Sequence, residues 1–243
     1  MRMRMPALLL VGVFVALICP SVPAADPVSA PALLKREVRE MHGWQVQVDA
    51  RLLGGPDAEL GKQVLRVLDF KLYEITQLVA QAPLAKLKKV GIVLDLDYPG
   101  LKVMQYHPSA AWLKQHDHDP KLAKMVHIPR ARELTGRHVI NQQPMVVLHE
   151  LAHGYHDQVL GFEEPRIREA WEKFKESGKG DRVLHISGRL EKHYGLTTPM
   201  EFFAEMTEAY FGTNDFYPFV RAELKKELPD VHQLLEDIWG KLP

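Results

Sequence analysis

The chain has 243 residues, 46% of them hydrophobic, which is enough for one domain with a full core. Its 31 basic and 31 acidic residues balance, so it lacks the electrostatic footprint of a nucleic-acid-binding protein. A lone cysteine, Cys19, excludes a disulfide framework.

Arg2 and Arg4 precede an apolar run from Ala7 to Ile18, followed by Pro20-Ser21-Val22-Pro23-Ala24-Ala25. These are the three regions of a cleavable export signal, predicted over residues 1–25 with cleavage after Ala24 or Ala25. The run falls short of the roughly 20 residues that span a bilayer. A secreted or periplasmic protein without stable membrane insertion is expected. Residues 26–40 are predicted to be a flexible, Pro/Ala-rich segment leading into a single domain over 41–243.

Trp44 to Ala50 alternates apolar and polar residues, which predicts a half-buried strand. From Asp57 to Ala80, Val64, Leu68, Leu72 and Ile75 recur at helical spacing, as in a helix packed on a sheet. Val90-Gly91-Ile92-Val93-Leu94 predicts a central strand, and Ser109 to Gln115 a short capped helix. His116 and His118 lie in a polar turn. Met125 to Ile128, ended by Pro129, predicts a strand suited to the sheet edge, where an extended peptide could add.

His149-Glu150-Leu151-Ala152-His153 spells HExxH within a stretch whose only charge is Glu150. A buried helix from about Gln142 to Leu160, stopped by Gly161, is predicted here. Its two imidazoles, one turn apart on one face, can converge on a zinc ion, with Glu150 beside a metal-bound water. Zinc lowers the pKa of such a water from about 15.7 to about 7, which brings it within reach of a carboxylate base. The extended HExxHxxGxxH form fails, because His156 and Val159 stand where Gly and His would be. His156 is expected near the metal as an outer residue or on the surface.

Pro165 to Glu176 predicts a surface helix with Trp171 and Phe174 turned inward. His193 reads as a loop residue. Thr198, Pro199 and Glu201 make a strong helix start, and Glu201 and Glu205 share one face of that helix. Glu201 can be the third metal ligand or the closing half of a capping box, with Glu205 as the alternative ligand. Asp230 to Trp239 predicts an amphipathic closing helix.

Tyr194-Gly195-Leu196-Thr197-Thr198-Pro199-Met200-Glu201-Phe202-Phe203-Ala204, taken with the HExxH helix, resembles the anthrax lethal factor-like metallopeptidases, a group that includes the bacterial Pro-Pro endopeptidases. Tyr194 precedes Glu201 by seven residues, and His149 precedes it by 52, similar to the family's spacing. The resemblance implies His149, His153 and Glu201 as Zn2+ ligands, Glu150 as general base and Tyr194 as helper at the oxyanion. It implies Glu205 as an outer carboxylate able to orient a ligand histidine, and places Asp157 at an often acidic position. It covers the chain from the HExxH helix onward, and the upstream half only through element order. The expected fold is α+β: a zincin-like single domain whose small mixed sheet packs on the active-site helix, with a mainly helical C-terminal half. The expected function is a secreted zinc metalloendopeptidase acting on peptide or protein substrates. The alternative is a catalytically inactive zinc-binding domain that binds peptides or cell-envelope components.

Overall fold

The computed structural model describes residues 34–241. The predicted export signal, with Cys19, and the Pro/Ala-rich run up to residue 33 lie outside the described residues. The described chain is a mixed α+β domain around one small five-stranded sheet.

Strands β1 (Arg36–Met41) and β2 (Trp44–Asp49) form a hairpin. His42 and Gly43 both take positive φ at its turn, the combination a two-residue type I′ hairpin requires. Strand β1 corrects the expectation that 26–40 is flexible throughout, because the chain joins the sheet at Arg36. Its charged sequence hid it, with Val38 exposed on an edge strand. The Arg36 guanidinium donates two bonds of 2.7 Å to the Asp95 carboxylate. Asp95 also meets His127 Nε2 at 2.9 Å, and His127 Nδ1 faces His107 Nε2 at 3.2 Å. This buried chain of polar groups fastens the hairpin to the far side of the sheet.

Helix α1 (Ala58–Leu78) buries Val64, Leu68, Leu72 and Ile75, the predicted stripe. Each such aliphatic, fully buried, contributes about 1.5–3 kcal/mol relative to exposure. Helix α2 (Gln81–Leu87) completes a crossover to β3 (Gly91–Leu94), which lies parallel to β2 at the middle of the sheet. After β4 (Gln105–Tyr106) and α3 (Ala110–Gln115), β5 (Met125–Ile128) pairs with β3 in parallel and with β4 antiparallel. The strand order is therefore β1-β2-β3-β5-β4. The edge beside the HExxH helix is β4, not Met125–Ile128 as expected. Ile92 and Leu94 enter the main core, while Val93, on the opposite face, packs with Tyr98, Leu101, Leu113 and Leu122.

Two short helices, α4 (Ala131–Leu134) and α5 (Arg137–Gln142), lead into α6 (Val146–Tyr155), which carries HExxH. The expected helix from Gln142 is cut short by Pro144, whose ring disfavours helical geometry in the residue before it. At its other end α6 widens into a π-helical turn, His156–Leu160, and stops at Gly161 with φ 83°. Gly154 sits directly against the sheet: a Cβ there would lie 2.6 Å from Val90 Cγ1 and 2.9 Å from Val90 Cγ2. Gly154→Ala should therefore lower stability by about 1–3 kcal/mol, read as a fall in melting temperature.

Helix α7 (Pro165–Glu176) buries Ile167 and Phe174. Strands β6 (Val183–Leu184) and β7 (Leu190–Glu191) form a small separate hairpin. Helix α8 (Pro199–Phe211) packs along α6 with every side chain from Phe202 to Phe211 buried. Helices α9 (Arg221–Glu227) and α10 (Pro229–Trp239) close the domain. The Trp239 ring stacks on Phe203 at 5.7 Å, and its N–H donates to Thr207. Among the described residues, no helix is long and apolar enough to cross a membrane.

Candidate metal centre

One helical turn separates His149 from His153, and the packing of α6 on α8 brings Glu201 across to them. The distances are 3.1 Å between the two Nε2 atoms, 3.2 Å from His149 Nε2 to Glu201 Oε2, and 3.3 Å from His153 Nε2 to the same oxygen. Tetrahedral zinc with bonds of about 2.0–2.1 Å sets its ligands about 3.3–3.4 Å apart, so the triangle has the size this ion requires. These three residues are grouped closely enough to hold a metal ion, as are His149, Glu205 and Glu208.

The two readings of Glu201 separate in this geometry. Its backbone N–H donates to Thr198 Oγ1 at 3.1 Å, so the helix start is capped by Thr198 as predicted. The Glu201 carboxylate turns toward the histidines. Burial works to raise its pKa, but the two imidazoles outweigh burial and hold the carboxyl well below its ordinary range.

The carboxylate that meets His149 Nδ1 is Glu208, not Glu205 as expected. His149 Nδ1 lies 2.6 Å from Glu208 Oε1, and with its proton on that nitrogen the ring would turn an Nε2 lone pair into the triangle. Glu205 Oε1 is 4.0 Å from the same nitrogen. The signal was in the spacing: Glu208 lies seven residues past Glu201, nearer to Glu201's angular position on the helix than Glu205, four residues past it. Glu208→Gln should weaken zinc affinity by about 10–100-fold in a competition assay with a chromogenic chelator.

Glu150 is buried beside the triangle, and its Oε2 accepts the Tyr106 N–H from the β4 edge at 2.7 Å. Burial raises its pKa, opposed by the charges of His149 and His153. Tyr194, about half exposed, occupies a helical turn (Tyr194–Leu196) just before α8. Burial and then the Glu201 charge raise its pKa, keeping the phenol a hydrogen-bond donor at neutral pH. Glu150, Tyr194 and the three triangle residues all line one cleft of about 710 Å³, whose lining also includes Met104–Tyr106, His185 and Phe216.

Other sequence-predicted residues fall elsewhere. Asp157 accepts the Tyr106 hydroxyl at 2.7 Å and pairs with Lys124, so it braces β4 rather than a ligand histidine. The widened turn after α6 puts it there, together with Gln158, which donates to the same hydroxyl. His156 is not on the surface. It is fully buried between Phe162 and Phe203, and burial pushes its pKa down to about 4. His193 lies in the loop before the Tyr194 turn, as expected, but it is buried, and its Nδ1 accepts the Gly195 N–H. His116 stays exposed, stacked on Trp112.

No family model matches the chain, and no curated protein or solved structure matches it.

Proposed function

We propose that the chain is an exported zinc metalloendopeptidase that hydrolyses peptide or protein substrates, of the anthrax lethal factor-like kind. The observation that carries this reading is the near-equilateral triangle of His149, His153 and Glu201, with the Glu150 carboxylate held beside it in the same cleft. Zinc, when bound, would act as a Lewis acid on the scissile carbonyl and acidify a water molecule. His149, His153 and Glu201 would hold the ion, with Glu208 keeping His149 in the ligating tautomer. Glu150 would take the proton from the attacking water as its oxygen bonds to the carbonyl carbon. It would then deliver that proton to the departing amine as the C–N bond breaks. The Tyr194 hydroxyl would donate to the oxyanion that develops on the carbonyl oxygen. Apolar walls at Val103, Met104 and Phe216 suit a peptide rather than a small polar substrate.

A peptide library incubated with zinc-loaded and chelator-stripped protein tests the reading. Cleavage by the loaded protein alone is expected. Binding without cleavage would favour the inactive module instead. Tyr194→Phe should cut turnover about 100-fold or more with zinc content unchanged; a loss of zinc would show that Tyr194 supports the metal and not the oxyanion.

A further inference from the structure

Behind His149, on the side away from His153, the acids Glu205, Glu208 and Asp215 are buried together. His149 Nδ1 lies 2.6 Å from Glu208 Oε1 and 4.0 Å from Glu205 Oε1, so its hydrogen bond is with Glu208. Glu205 Oε2 has no hydrogen-bond partner, although the residue is only 3% exposed. Its neighbour at 4.0 Å, His193 Nδ1, accepts the Gly195 N–H and so presents a lone pair instead of a proton. Asp215 Oδ1 is also buried without a partner, although the carboxylate has a side-chain hydrogen bond from Gln143, and His185 Nε2 is 3.9 Å from Oδ2. A buried carboxylate short of donors is neutralised either by taking up a proton or by a compensating positive charge. Zinc in the triangle would supply charge to Glu201 and Glu150 but would give no ligand contact to Glu205.

The geometry points to a second cation site, in which Glu205 and Glu208 hold a hard divalent ion of the Mg2+ or Mn2+ class. Atoms of these two residues and His149 Nδ1 lie within 4.8 Å of one another. Glu208 serves both sides, with one oxygen on His149 and the other on the cation. Glu205, Glu208 and Asp215 all line the cleft, which is the route by which an ion and its waters would reach them. Hard divalent ions are commonly bound through one or two carboxylates while keeping several waters. Oxygen donors alone favour this class over zinc, which the histidine-rich triangle selects. Two ions would then flank the His149 ring, each fixing one carboxylate of α8. The site lies beyond the peptidase reading but rests on its zinc triangle, and counting both metals separates the failure of one from the failure of the other.

Equilibrium dialysis of the zinc-loaded protein against Mn2+ tests it, with both metals counted by elemental analysis. One Mn2+ per chain is expected with zinc retained. Glu205→Gln, nearly isosteric, should weaken Mn2+ uptake at least tenfold while its zinc content reports an intact triangle. Asp215→Asn should weaken it less. No Mn2+ uptake at millimolar concentration would overturn the site and leave Glu205 as a protonated acid. Uptake unchanged in Glu205→Gln, or Mn2+ gained only as zinc is lost, would overturn it equally.

Discussion

Glu150→Gln is expected to retain its zinc and to lose turnover by about 100- to 10,000-fold, the range for removing a positioned general base. The substitution preserves size and one oxygen, so the bond from the Tyr106 N–H at 2.7 Å can persist and the helix α6 surface is unchanged. What disappears is the acceptor for the water's proton. Glu150 is outside the triangle: the close contacts there join His149, His153 and Glu201. Zinc content and turnover should therefore separate in this variant. Full activity would remove Glu150 from the chemistry. Loss of zinc would make it a ligand.

Glu201→Ala should do the opposite and act first on the metal. It deletes one of the three protein ligands, and its effect on zinc affinity should exceed the about 10–100-fold that an outer partner is worth. A capping role predicts a different pattern, a loss of about 0.5–2 kcal/mol in stability whether or not zinc is present. The structure separates the two because the cap bond uses the backbone N–H of residue 201 and the Thr198 hydroxyl, and the substitution leaves both in place. Chelator-stripped wild type and variant should therefore melt at similar temperatures. Zinc at 100 times its Kd should stabilise the wild type by about 2.7 kcal/mol and the variant by far less. Equal zinc stabilisation of both would move the third ligand elsewhere.

The long amphipathic elements were legible because their information is local. The stripe of Val64, Leu68, Leu72 and Ile75 identifies α1, and Thr198-Pro199 marks the start of α8. The HExxH pair was legible for the same reason, since a four-residue spacing places both rings on one face. What stayed hidden depends on contacts between elements. Strand β4 has only two residues, too few to show a period, yet it takes the sheet edge and supplies the N–H that holds Glu150. Strand β1 is charged at four of its six residues and is held by pairing with β2 and by Arg36 on Asp95. The exchange of Glu205 for Glu208 as partner of His149 reflects how α8 is turned against α6, which no single-helix pattern fixes. The burial of His156 stayed hidden because a histidine three residues beyond HExxH looks polar in sequence, whereas packing seals it against two phenylalanines.

The central claim is that His149, His153 and Glu201 form a zinc site, and the most direct test is a zinc titration of chelator-stripped wild-type protein. The account predicts one tightly held equivalent per chain, with an X-ray absorption signature of nitrogen and oxygen ligands near 2.0–2.1 Å and no sulfur. A protein that takes up no zinc, or holds it only as weakly as its exposed histidines would, contradicts the account.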